Sequence, residues 1–135
     1  MDITINIPSQ RIADLMTTAI ECANDTWCKA VLLMEPVRGS SYPEYTDSMG
    51  HKSKLWYCDP ALYDNGFVLH IIETVEGDGE EGVIHIKNKD DVVKALVALA
   101  NKHPNDFGDF MTENEDGITA DLFLQYLTFG EVVYG

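Results

Sequence analysis

The sequence predicts an α+β fold: a single domain over residues 1–135, with one antiparallel sheet of about four to five strands and about three helices packed on it. Three observations predict it. Ile12, Leu15, Met16, Ala19, Ile20 and Ala23 recur at helical spacing. Residues 67–87, FVLHIIETVEGDGEEGVIHIK, are two β-branched segments around a glycine-rich acidic loop. The elements run in the order β-α-β-β-β-β-α-α, so strands follow one another instead of alternating with helices.

In chain order, DITINIP alternates Ile3, Ile5 and Ile7 and stops at Pro8, which reads as a short strand. The first helix follows, with Ser9 as its expected N-cap and Asn24-Asp25 as its stop. TWCKAVLLME, residues 26–35, is an apolar strand closed by Pro36. Residues 36–53 read as a long loop, because Gly39, Ser40, Ser41, Pro43 and Gly50 break any period. KLWYC is expected as a strand and DPALYDNG as a turn. The hairpin over 67–87 should turn near Asp78-Gly79. That sets His70 nearly opposite His85 and on the same face, with Phe67, Leu69 and Ile71 against Ile84 and Ile86 on the core face. NKDDVVKALVALANKHP is the next helix, with Asp90 and Asp91 in its first turn, Lys102 in its last and Pro104 closing it. DFGDFMTENED reads as a short helix and loop. Thr119 should cap the final helix, ADLFLQYLTF, with Gly130 ending it.

A hydrophobic content of 45% suits a packed core, and no apolar run reaches the ~20 residues of a membrane span. The N-terminus lacks a basic region and an apolar run, so no signal peptide is expected and the cytoplasm is the expected location. Cys22, Cys28 and Cys58, odd in number and without a CxxC, are expected as buried free thiols.

Charge is the dominant signal: 23 acids against 9 Lys and Arg give a net −14. Residues 104–135 hold Asp106, Asp109, Glu113, Glu115, Asp116, Asp121 and Glu131 with no Lys or Arg. Such a field repels a phosphate backbone, which argues against direct nucleic-acid binding. It favours approach to a basic surface instead.

Catalytic and metal signatures are missing. The sequence has no GxSxG, HExxH, P-loop or GxGxxG. His70 and His85 could begin a zinc site, but no spacing supplies two further ligands, so no metal or cofactor is expected. NEDG, residues 114–117, superficially resembles a calcium loop. With Gly117 in the sixth position, Thr112 and Phe123 fall where acids are needed, so that reading fails. One region is locally basic and aromatic: Trp27, Arg38, Tyr42, Lys52, Lys54 and Trp56 could stack on a base and hold a phosphate.

The stretch SQRIADLMTTAIECANDTW and the ending DGITADLFLQYLTFGEVVYG resemble the two ends of a family of small, uncharacterised phage and prophage proteins. That family closes on Thr-Ala-Asp-x-Phe-Leu-Gln, then Phe-Gly-Glu-x-x-Tyr-Gly. The chain departs at residues 22–27, where the family carries a Gly-Gly-Ser-Asn-Tyr-Trp-like stretch. A helix, His103 and a Phe-containing acidic segment give a looser match in the middle. The resemblance implies an accessory factor acting inside an infected bacterial host. The expected function is therefore a non-enzymatic anti-defence protein, such as an anti-CRISPR inhibitor, holding a basic host surface with its acidic face. One alternative is a sponge for a cyclic or ADP-ribose-type nucleotide signal, using the basic aromatic set. Another is a structural or assembly module, self-associating through the hairpin edge.

Overall fold

The spacing of Ile12, Leu15, Met16 and Ala19 produces a helix, α1 (Ser9–Cys22), in a computed structural model that describes residues 6–22, 27–36, 45–46, 52–53, 55–74, 82–114 and 116–135. Its apolar face is buried, and Arg11 is buried with it. The Arg11 guanidinium donates to Asp14 Oδ2 at 2.9 Å and to the carbonyl of Phe110 at 2.7 Å, with its carbon 5.4 Å above the Phe110 ring. A cation therefore meets the negative end of a later helix.

Strand β1 (Cys28–Glu35) follows, and Pro36 succeeds it. The expected strand over 3–7 falls largely outside the described residues, and Asn6 to Pro8 are irregular. Within the long predicted loop, β2 (Tyr45–Thr46) pairs with β3 (Lys52–Ser53) as a small separate ribbon. The strand expected at KLWYC does not form. Trp56–Cys58 is a 3₁₀ turn, and α2 (Pro60–Asp64) replaces the predicted turn. Asp59 caps that helix by accepting from the Ala61 N–H, and Pro60 sits where its missing N–H costs nothing. Two adjacent start signals thus outweigh the β propensity of Trp and Tyr.

β4 (Val68–Glu73) and β5 (Val83–Asn88) form the hairpin, and the sheet order is β1-β4-β5, all antiparallel. The register departs from expectation by one residue: His70 pairs with Ile86, and Ile71 pairs with His85. A one-residue shift exchanges faces. His85 therefore joins Leu69 and Ile71 on the inner face, while Ile84 and Ile86 join His70 outside. Gly82, at φ +71, immediately precedes β5. A Cβ there would stand 2.5 Å from the Glu73 carbonyl oxygen.

α3 (Lys89–Lys102) starts in a full capping box, Asn88 with Asp91. Pro104 ends α3 and opens α4 (Pro104–Met111). α5 (Gly117–Phe129) begins two residues before the predicted cap, because the N-cap is Asp116, not Thr119: the Asp116 carboxylate accepts the Thr119 N–H. Gly130 ends it in the left-handed region, as expected.

The fold class is α+β, with five helices and a three-stranded sheet among the described residues, so fewer strands and more helices than predicted. Helix α5 buries Ala120, Phe123, Leu124, Tyr126 and Leu127 and packs against α1, α3, α4 and β5. A helix apolar on all sides belongs in the centre. Among the described residues no helix is long and apolar enough to cross a membrane.

Gly82→Ala should lower stability by about 2 kcal/mol or more, from left-handed strain and the carbonyl clash. Gly66→Ala, with open space around its Cα, serves as the near-neutral control. Chemical denaturation of both variants checks this.

Candidate functional site

The polar residues of α5 organise two constellations, one at each end of the helix. At the C-terminal end, Gln125 is almost fully buried. Its Oε1 accepts the backbone N–H groups of Val133 and Tyr134 at 2.9 and 2.8 Å. Its Nε2 donates to Asp121 Oδ2 at 2.7 Å and to the Tyr134 carbonyl at 3.0 Å. Asp121 in turn accepts the Trp27 indole N–H at 2.9 Å. The Trp27 and Tyr134 rings stack with centroids 5.7 Å apart, and Phe129 covers them at a tilt. The Tyr134 hydroxyl donates to Glu73, whose other oxygen lies 3.0 Å from His85 Nε2. The Tyr134 hydroxyl foremost, and then His85, hold the Glu73 carboxyl below its ordinary range. Glu73 in turn pushes the Tyr134 phenol up.

This cluster corrects three expectations. Asp121 is not displayed outward, because both its oxygens are committed to Trp27 and Gln125. Trp27, 8% exposed with its ring covered by Tyr134 and Phe129, offers no open face to a nucleobase. His70 and His85 stand on opposite faces of the sheet and cannot share a metal. Sequence reasoning missed Gln125 and Glu73. The signal for Gln125 was an amide inside an apolar stretch, one turn beyond Asp121.

At the N-terminal end of α5 lie Asp106 and Asp109 of α4, then Glu113 and Asp116 in the connecting turn. Asp109, Glu113 and Asp116 are exposed. Asp106 is half-buried, accepts the Thr119 hydroxyl at 3.3 Å and lies 4.0 Å from His103 Nδ1. The other His103 nitrogen meets the Tyr126 hydroxyl at 2.8 Å. The backbone N–H of Thr119 is the main reason the Asp116 carboxyl titrates below its ordinary value. Glu113 adopts φ +63, a left-handed residue that turns the chain between the helices.

The seven predicted acids therefore do not form one face. Asp106, Asp109, Glu113 and Asp116 gather at the α4–α5 turn. Glu131, exposed, lies past the far end of α5, roughly 20 Å away by helix length. Glu115 lies outside the described residues. Of the basic aromatic set, Arg38, Tyr42 and Lys54 also lie outside them, Lys52 is described only as part of β3, and Trp56 is half-buried against Tyr57.

The cysteines form no disulfide among the described residues. Cys22 is exposed, against expectation, because it ends α1. Burial pushes the Cys28 thiol up to about 11, so it stays protonated and poorly nucleophilic at neutral pH. Among the described residues no group of three or more His, Cys, Asp or Glu is placed to hold a metal. No family model, curated protein or solved structure matches the chain.

Two outcomes follow for the clamp around Gln125. Gln125→Leu should cost about 2 kcal/mol or more, because two backbone N–H groups lose their acceptor; thermal melts measure it. The second concerns pH. The folded value of Glu73 lies below its ordinary 4.5, so its contribution is complete above that pH and is lost as pH falls through the folded value. Glu73→Gln should therefore melt lower than the parent at neutral pH, with the gap closing in acid. A gap constant with pH would contradict this assignment.

Proposed function

We propose that the chain is a phage- or prophage-encoded, non-enzymatic anti-defence protein of the anti-CRISPR kind. It acts in the host cytoplasm by occupying a basic surface on a defence protein. The observation that carries this reading is the α4–α5 turn. Exposed Asp109 in the last turn of α4 and exposed Glu113 and Asp116 in the connection to α5, with half-buried Asp106 one turn earlier, follow closely in a stretch without Lys or Arg. Carboxylates in that density present an acidic edge to Lys and Arg on a partner. Electrostatic steering would speed the encounter and weaken as salt is added.

The acids have unequal roles in this reading. Asp116 caps α5 and Asp106 holds Thr119, so both also stabilise the fold. Asp109 and Glu113 are exposed and are the residues assigned to partner contact.

The test is affinity purification of the tagged protein from a bacterial host, or against purified nuclease and surveillance complexes, over a salt series. Capture of a basic defence protein is expected, with retention falling as salt rises. Asp109→Asn with Glu113→Gln should reduce retention about tenfold or more at low salt and leave the melting temperature near that of the parent. Binding indifferent to salt and to both substitutions would rule out the electrostatic mode.

A further inference from the structure

The two edges of the three-stranded sheet are unlike. β1 is interrupted twice, with register shifts between Cys28 and Ala30 and between Leu33 and Glu35, and Pro36 follows it. Bulges and proline are the ordinary devices that stop an edge from pairing with another chain. β5 has neither. It pairs with β4 in unbroken register over all six residues, Val83 to Asn88, and among the described residues its other edge is unpaired.

The side chains of β5 increase the contrast. Ile84 and Ile86 are 55% and 66% exposed on the outer face. They continue across the sheet into Ile72, His70 and Leu32, the last 45% exposed. In a chain of 23 acids, the outer-face positions of β4 and β5, namely Val68, His70, Ile72, Ile84, Ile86 and Asn88, include none, while Glu35, paired with Val68, puts an acid on this face only at the far edge strand, β1. The only charge within β5 is Lys87, on the inner face and half-buried.

We propose that β5 is a homodimerisation edge, pairing antiparallel with β5 of a second copy across a two-fold axis. The two sheets then join into one of six strands. Charge selects the occupant. Two copies at −14 repel over most of their surface and can approach where acids are absent, and β5 with the adjoining outer-face residues of β4 meets that condition. An isologous contact needs a self-complementary strip. Centred on His85, the pair sets Ile84 of each copy opposite Ile86 of the other on the outer face, and Lys87 opposite Val83. Isoleucine pairs suit this cross-strand position, and no lysine faces a lysine.

This inference is independent of the acidic turn, and its salt dependence has the opposite sign. Screening weakens a contact with a basic partner but strengthens association between two acidic copies. The experiment is sedimentation velocity over a dilution series in low and high salt. The expected mass moves from 15.1 kDa toward twice that value with concentration, and further at high salt. Ile86→Lys and, separately, Ile84→Lys should hold the mass at 15.1 kDa, with the circular dichroism and melting curve of the dilute parent. Val97→Lys, on α3 and 54% exposed, should leave association unchanged. A monomer under every condition overturns the proposal. So does a dimer that ignores both lysine substitutions on β5, or one that Val97→Lys abolishes.

Discussion

A helix buried around its circumference must find a partner for every polar group it carries, since water is out of reach. α5 carries Thr119, Gln125 and Thr128 in that position. Thr128 answers within the helix, donating to the Leu124 carbonyl at 2.7 Å. The other two reach outward, and what they reach is fixed in place by the same need. Thr119 draws Asp106 and so positions α4. Gln125 draws in the tail through Val133 and Tyr134. Asp121, one turn before Gln125, holds the indole that precedes β1. Much of the tertiary arrangement is thus a set of hydrogen-bond obligations discharged around one apolar rod.

How far this was legible in the sequence differs by element. α1, α3 and α5 are written in local periodicity, and the end signals at Asp90, Asp91, Lys102 and Gly130 act as their chemistry dictates, but the two expected caps do not: Ser9 is the first residue inside α1, and Asp116, not Thr119, caps α5. β1 and the hairpin strands are legible as apolar, β-branched runs. KLWYC misleads because β propensity describes a side chain's fit to a pleated surface, whereas Asp59-Pro60 supplies a nearby helix start with its own hydrogen bond. The hairpin faces reverse because strand composition is nearly symmetric: both faces of β5 carry apolar residues, so the side-chain pattern alone does not choose between registers one residue apart. The acidic turn was legible as composition. The inward commitment of Asp121 was not, because its partner Trp27 lies 94 residues away in the chain.

Charge and apolarity are sorted onto different parts of the surface. The α4–α5 turn concentrates carboxylates, while β5 and the outer-face residues of β4 carry none. An acidic protein would dissolve equally well with its acids spread evenly. The segregation leaves one region that attracts cations and another that tolerates a second acidic molecule, and ionic strength acts on the two in opposite senses.

The central helix also stands last in chain order among the elements it packs against. α1, α3, α4 and β5 all precede α5. During synthesis each therefore leaves the ribosome with an apolar face that its own neighbours cannot cover. Arg11 waits for Phe110, 99 residues later, and Trp27 waits for Asp121. Contacts of such long sequence separation close slowly, and only after most of the chain exists. Until α5 arrives, the faces it covers on α1, α3, α4 and β5 lack that cover, and exposed apolar surface of this kind is what chaperones hold and neighbouring chains trap.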